Sequence, residues 1–184
     1  MRQFTIFTII ISLGLSSCSF NPSDKNDTQV VLRFYQDYRS RENDTIHLIR
    51  SEINDSSYFI YKFNDDTLVY SFHKSIMNDS SIDIFSHNCP LVSEKTIKVD
   101  SQSFRILKFY YDIEGSYDEE TSFFYHKDYG LLVGFNDGWL DLVFSMEYDR
   151  ISKNLIDSII SDRTGFYLWY VPPPPPPDSL TIEK

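Results

Sequence analysis

Cysteine and basic residues are both scarce in this chain. Two cysteines among 184 residues cannot build the disulfide framework that holds many small secreted domains together. Only 17 Lys and Arg stand against 27 Asp and Glu, which gives a formal net charge of −10 at pH 7. Binding to nucleic acid needs clustered Lys and Arg that neutralise phosphates. The charge balance therefore argues against a nucleic-acid partner.

Short catalytic motifs are missing as well. The chain contains no GxSxG elbow, no HExxH metal motif, no phosphate-binding P-loop and no dinucleotide fingerprint. His87 and Cys89 lie two residues apart, but a metal site would need two further ligands. We interpret this pair as a turn with a polar histidine and a packed thiol. The sequence thus favours a protein that is not an enzyme and has no catalytic residue, no cofactor and no metal site. A hydrolase is the alternative, and it would need a cleft that joins one of the four histidines to a carboxylate and a Ser or Cys.

Carboxylates cluster around Gly115, from Asp112 to Glu120, and this acidic segment is predicted to be a loop. Calcium prefers oxygen ligands, but the spacing here does not fit the EF-hand pattern. We therefore interpret this segment as a charged, solvated hairpin loop.

One specific signal lies near the N-terminus. Arg2 precedes an apolar run from Phe4 to Leu15, and small residues stand just before Cys18. This order is typical of an export signal, and the run is shorter than the roughly 20 residues of a membrane-spanning helix. Leu15-Ser16-Ser17-Cys18 resembles the lipobox of bacterial lipoproteins, whose cysteine is acylated and becomes the first residue of the mature chain. An ordinary cleaved secretory peptide and a buried N-terminal strand are the alternatives.

The resemblance to the lipobox implies a cellular location for the protein. Residues 1–17 would be a signal peptide, and acyl chains such as palmitate on Cys18 would attach the mature protein to the membrane. Ser19, rather than Asp, follows the cysteine, which in the best-known sorting rule implies the outer membrane. In composition, too, the chain resembles small uncharacterised envelope lipoproteins of Bacteroides-like bacteria. We therefore expect a lipid-anchored protein of the cell envelope.

Composition divides the remaining chain into three parts. Residues 18–28 are polar and predict a lipidated N-terminus with a flexible tether. Residues 29–171 predict a single β-rich globular domain. Residues 172–177 are six consecutive prolines, which favour a stiff polyproline II rod before the tail that ends at residue 184. In that tail, Asp178-Ser179-Leu180 resembles an O-glycosylation sequon of such bacteria.

Aromatic residues make up 16% of the chain and favour strands. Alternating apolar runs separated by turn residues predict an α+β fold, mostly an antiparallel β-sheet built as a meander of hairpins. The helical spacing of Val31, Phe34, Tyr35 and Tyr38 predicts an N-terminal helix over 28–40, with a strand as the alternative in a chain of this β-rich composition. A second apolar stripe predicts a C-terminal amphipathic helix over 149–161, packed on the sheet. The strand order, and whether the sheet is open or closed, stay undetermined at this level.

These observations together favour a non-catalytic binding module. We expect its partners to be the membrane, through acyl chains on Cys18, and either a protein or an apolar ligand. A periplasmic domain that handles lipids or lipoproteins is one alternative. The other is an immunity or inhibitor lipoprotein whose acidity neutralises a toxin or hydrolase.

Replacing Cys18 with Ser tests the anchor. We expect the variant to move from the membrane pellet to the soluble fraction, because each methylene buried in the bilayer contributes about 0.8 kcal/mol. Fractionation followed by immunoblotting measures this. A Cys18→Ser protein that stays with the membrane pellet would contradict the lipobox interpretation.

Overall fold

The computed structural model describes residues 26–36, 39–113, 115, 119–138, 141–162 and 166–167. The predicted signal peptide, Cys18, most of the predicted tether, and the proline run with the tail after it lie outside the described residues.

Ten antiparallel strands form a closed barrel. Each strand pairs with its neighbour in sequence, and β1 closes the barrel by pairing with β10. The strands are β1 (Asn26–Gln36), β2 (Arg39–Ile53), β3 (Ser56–Lys62), β4 (Leu68–Ser75), β5 (Ser81–Ile84), β6 (His87–Val99), β7 (Gln102–Tyr111), β8 (Thr121–His126), β9 (Gly130–Asn136) and β10 (Asp141–Glu147). In the described part of the chain they are followed by one helix, α1 (Arg150–Ser161). Among the described residues, no helix is long and apolar enough to cross a membrane.

The predicted α+β class with an N-terminal helix is wrong. Residues 26–36 form strand β1, which lies between β2 and β10, and residues 26–28 belong to this strand rather than to the tether. Val30 and Leu32 are buried, whereas Val31, on which the helical spacing depended, is 36% exposed. Burial in β1 therefore alternates from one residue to the next, as in a strand, and does not follow the 3.6-residue period of a helix. The strand conformation prevails because β1 is the element that closes the barrel.

Aromatic rings fill the interior of the barrel. Phe59 and Phe72 stack with their centroids 4.5 Å apart, and Tyr125 meets both edge-on at 5.9 and 6.0 Å. Further along, the ring of Tyr70 lies 4.9 Å from that of Phe144. Such stacked and edge-to-face pairs stabilise a core beyond the area they bury. The barrel is thus a packed core along this part of its axis.

Helix α1 covers the outside of the barrel over β6, β9 and β10. The prediction over 149–161 places it almost correctly, since it begins at Arg150 with Asp149 as its N-cap. The Asp149 carboxylate accepts a hydrogen bond from the Ser152 N–H at 2.7 Å, and the Ser152 hydroxyl accepts one from the Asp149 N–H. This capping box satisfies backbone donors that the first turn leaves unpaired. Buried Leu155, Ile156 and Ile159 form a second core with the outward-facing side chains of the barrel.

Three hydrogen bonds join strand β3, strand β9 and the connection between β10 and α1. The Leu131 N–H donates to the Tyr61 hydroxyl at 3.1 Å, and the Tyr148 hydroxyl donates to the Leu131 carbonyl at 3.0 Å. The two phenol oxygens lie 2.9 Å apart, so the Tyr61 O–H completes the set by donating to Tyr148. Burial raises the pKa of both phenols well above the usual value, which keeps both hydroxyls protonated.

Gly130 allows Tyr61 to reach this position. It has a φ of +84°, and an added Cβ would lie 2.4 Å from the Tyr61 hydroxyl oxygen. We expect Gly130→Ala to lower the free energy of unfolding through the strained φ, at about 1–2 kcal/mol, and through overpacking, at about 1–3 kcal/mol more.

Gly115→Ala is the matched control for this measurement by urea unfolding. Gly115 has the same φ of +84°, but no atom lies within 4 Å of an added Cβ, so only the backbone strain applies. Equal losses of stability in the two variants would contradict the packing of Tyr61 against Gly130.

A candidate binding site at the mouth of the barrel

A cavity of about 830 Å³ opens at one end of the barrel. This end, called the mouth below, carries the connections β2–β3, β4–β5, β6–β7 and β8–β9. Leu107 and Tyr125 form the floor of the cavity, and the ends of β2, β4, β7 and β8 supply its walls. The mouth is therefore the place where a small molecule can enter the barrel.

The cavity exists because strand β5 is short. With four residues, β5 pairs with Phe72 and His73 of β4 on one side and with residues 87–90 of β6 on the other. The β6–β7 hairpin continues beyond it to a turn at Asp100-Ser101. The wall of the barrel is thus interrupted at the mouth, and the β4–β5 connection fills this interruption with side-chain contacts in place of strand pairing.

Lys74 holds the β4–β5 connection in place. It is 4% exposed, and its amine donates to the carbonyl oxygens of Ser75 at 3.1 Å and Asn78 at 2.5 Å. The amine also pairs with the Asp79 carboxylate at 2.9 Å. A buried ammonium group needs such acceptors to compensate for the loss of water. Lys74 therefore fixes residues 75–79 as a compact loop over the cavity.

Asp79 extends this contact to the opposite wall. Its carboxylate also accepts a hydrogen bond from Arg105 of β7, and Arg105 in turn pairs with Glu94 of β6. The hydrogen bond from Lys74 lowers the pKa of Asp79, and the bond from Arg105 adds to this effect. Asp79 is therefore ionised at neutral pH and connects β4 to the β6–β7 hairpin.

Arg50 supplies a second cationic group at the cavity. Its guanidinium lies 5.3 Å from the centroid of the Phe59 ring and pairs with Glu52 at 3.1 Å. The Glu52 side chain is 59% exposed, and exposed ion pairs contribute little free energy because water competes for both charges. An anionic ligand can therefore replace Glu52 at small cost.

Two neighbouring aromatic groups are neutral. Burial raises the pKa of the Tyr125 phenol to about 12, so the cavity floor carries an uncharged hydroxyl. Burial lowers the pKa of His126, whose Nδ1 accepts a hydrogen bond from the Asp128 N–H at 3.2 Å. The charges at the mouth therefore come from its Lys, Arg, Asp and Glu side chains.

The residues singled out in the sequence lie elsewhere. Cys18 lies outside the described residues, and Cys89 is buried in β6, where burial raises the pKa of its thiol to about 12. The interpretation of His87 and Cys89 as a turn is wrong, since both lie on β6. The His87 side chain is exposed and lies against the Tyr111 ring at 5.7 Å.

Sequence reasoning missed the mouth cluster of Lys74, Asp79 and Arg105. One signal was present: Lys74 continues the alternation of Tyr70 and Phe72, so it is a charged residue at an inward position of a strand. Its partner Asp79 is five residues away, and Asp79 meets Arg105, 26 residues further along, because β4 to β7 pair in succession.

Comparisons of the chain with protein-family models, with curated proteins and with solved structures find no match.

Asp79→Asn tests the electrostatic contact across the mouth. We expect it to lower the free energy of unfolding at pH 7 by on the order of 1 kcal/mol, because buried Lys74 loses its counter-ion. The lowered pKa of Asp79 means that its contribution is present above the unfolded pKa of about 3.9 and is lost as pH falls further. The difference between wild type and variant should therefore shrink from pH 6 to pH 3 in urea titrations.

Asp128→Asn is the matched control at the same mouth, and its effect should stay within about 0.5 kcal/mol. A loss of stability for Asp79→Asn that is the same at pH 6 and pH 3 would contradict the role of the carboxylate charge.

Proposed function

We propose that this chain is a lipid-anchored envelope protein whose barrel is a non-catalytic binding module for an amphipathic small molecule with an anionic group. The cavity at the mouth is the observation that carries the proposal. Its volume of about 830 Å³ lies in the range of ordinary small-molecule sites, roughly 300–1,000 Å³. The lipid anchor rests on the lipobox resemblance at Cys18.

The charges around the cavity support an anionic ligand. The chain as a whole has a net charge of −10, yet basic side chains outnumber acidic ones at the cavity. The basic ones are Arg50, Lys74, Arg105 and Lys127, and the acidic ones are Glu52, Asp79 and Asp128. A recess with low-dielectric walls concentrates such a local excess of charge. Arg50 and Lys127 are the best placed to meet the anion, since three acceptors already occupy the amine of Lys74.

The packing beneath the cavity limits the apolar part of the ligand. Tyr125 on the cavity floor contacts the rings of Phe59 and Phe72, which stack directly on each other. A long acyl chain along the barrel axis would have to displace these rings from a close-packed core. A short or ring-shaped apolar body against Leu107 and Tyr125 needs no such displacement. The close-packed rings therefore favour a small amphipathic ligand over a lipid carried along the barrel axis.

A pair of related dyes tests the proposal. Anilinonaphthalene sulfonate and N-phenylnaphthylamine share an aromatic body, but only the first carries an anionic group. We expect the sulfonate dye to bind more tightly, and Arg50→Gln to weaken it about tenfold, which is the equivalent of one charge-assisted hydrogen bond of about 1.4 kcal/mol. The neutral dye should be almost unaffected by Arg50→Gln. Fluorescence titration measures all four affinities.

Two further variants locate the site. Lys62→Gln, which removes a basic side chain at the opposite end of the barrel, should leave both affinities unchanged. Ser103→Trp should block both dyes, because Ser103 lines the cavity and is exposed. Equal binding of the two dyes, with no effect of Arg50→Gln or Ser103→Trp, would contradict an anion-recognising site at the mouth.

A further inference from the structure

We infer that the mouth of the barrel faces the membrane and that the tip of the β4–β5 connection, Ile76-Met77, enters the lipid interface. This inference rests on the lipid anchor at Cys18 in the proposed function and goes beyond it by orienting the barrel. The path of the chain, the exposure of the tip and the way the tip is held support it.

The chain enters the barrel at the mouth end. Strand β1 begins at Asn26, whose Cα lies opposite that of Arg50, and Arg50 lines the cavity. Cys18 precedes Asn26 by eight residues in the sequence, a distance of about 28 Å when fully extended. An anchor at Cys18 therefore pulls on the barrel at its mouth.

If the far end of the barrel faced the membrane, the segment between Cys18 and Asn26 would have to span the height of the barrel. The 11 residues of β1 extend about 36 Å along the strand, or about 27 Å along the axis of a barrel whose strands tilt by roughly 40°. A tether of about 28 Å would have to run down the whole outside of the barrel before it reached lipid at the far end. With the mouth towards the membrane, the tether reaches the lipid without passing along the barrel.

Apolar side chains protrude at the mouth. Met77 is 80% exposed, Ile76 53% and Ile53, at the end of β2, 36%. The Ile76 N–H donates to the Asp55 carbonyl at 2.8 Å, which joins the β4–β5 connection to the neighbouring β2–β3 turn. Exposed apolar side chains of this kind are what a peripheral protein buries at the headgroup boundary.

Among the described residues, the far end of the barrel offers a poorer surface. It carries Leu68 and Phe85, which are 52% and 44% exposed. The Phe85 ring packs against Tyr70 with centroids 5.5 Å apart, and Leu68 is the first residue of β4 rather than part of a protruding loop. These two apolar residues therefore do not form a free apolar tip.

The β4–β5 tip is presented in a fixed conformation. Lys74 binds the carbonyl oxygens of Ser75 and Asn78 as well as the Asp79 carboxylate, and these partners stand on both sides of Ile76 and Met77. The side-chain oxygen of Asn78 also accepts a hydrogen bond from the Ser80 N–H at 2.8 Å. A loop that is already ordered loses little conformational entropy when it enters the interface.

Site-specific fluorescence on the full lipidated protein tests the orientation. Met77→Cys carries a nitrobenzoxadiazole dye, and Leu68→Cys at the far end is the matched control. The remaining thiol, Cys89, is buried and protected from labelling. Both proteins are reconstituted in vesicles of phosphatidylethanolamine and phosphatidylglycerol that contain a spin-labelled lipid as quencher.

We expect the emission of the dye at position 77 to shift to the blue and to lose most of its intensity to the quencher, while the dye at position 68 stays in water. Flotation of the vesicles separates the two possible failures. Protein that does not float with the vesicles would contradict the anchor and with it the proposed function. Floating protein whose dye at 77 stays in water, or whose two dyes are quenched equally, would overturn the orientation and leave the anchor standing.

Discussion

Closure of the barrel by β1 is the constraint on which the rest of the structure depends. Strand β1 pairs with β2 along its whole length and with β10 over residues 31–34, so neither β2 nor β10 is left with an open edge there. Side chains reinforce the β1–β10 seam: Arg33 pairs with Glu147 at 2.6 Å, and the Tyr35 and Ser145 hydroxyls lie 3.2 Å apart. An open edge would offer unpaired backbone groups to other chains. Closure also encloses the aromatic core and defines the two ends of the barrel.

The mouth cavity follows from one departure from this regular closure. Because β5 is shorter than its neighbours, the barrel wall is incomplete at the mouth, and charged side chains stand where backbone pairing would otherwise continue. Lys74 and Asp79 keep the β4–β5 connection ordered in this part of the wall. The same residues that stabilise the fold at this point therefore also shape the proposed site. Strand β1 begins at this same end, which would connect the proposed site to the proposed anchor at Cys18.

Local patterns predicted the elements whose burial is decided locally. The alternating apolar runs predicted antiparallel strands, as seen in buried Phe59 and Tyr61 of β3 and Leu107 and Phe109 of β7, and an apolar stripe over 149–161 predicted α1. Strand β1 was mistaken for a helix because its conformation follows from its pairing with β2 along its whole length and with β10, more than 100 residues away. Such non-local pairing leaves no trace in an 11-residue window, where Val31, Phe34 and Tyr35 fit helical spacing equally well. The candidate site was missed for a similar reason, since Asp79, which pairs with both Lys74 and Arg105, lies 26 residues from Arg105 in the sequence.

The central claim is that an amphipathic anion binds at the mouth, and NMR mapping tests it most directly. Octanesulfonate would be titrated into the isotope-labelled protein while backbone amide chemical shifts are followed. The account predicts that the shifts change at Ser57, Leu107 and Tyr125, which line the cavity, and stay constant at Phe63 and Tyr111 towards the far end. Changes centred on Phe63 and Tyr111, or no changes up to saturation of the solution with the ligand, would contradict it.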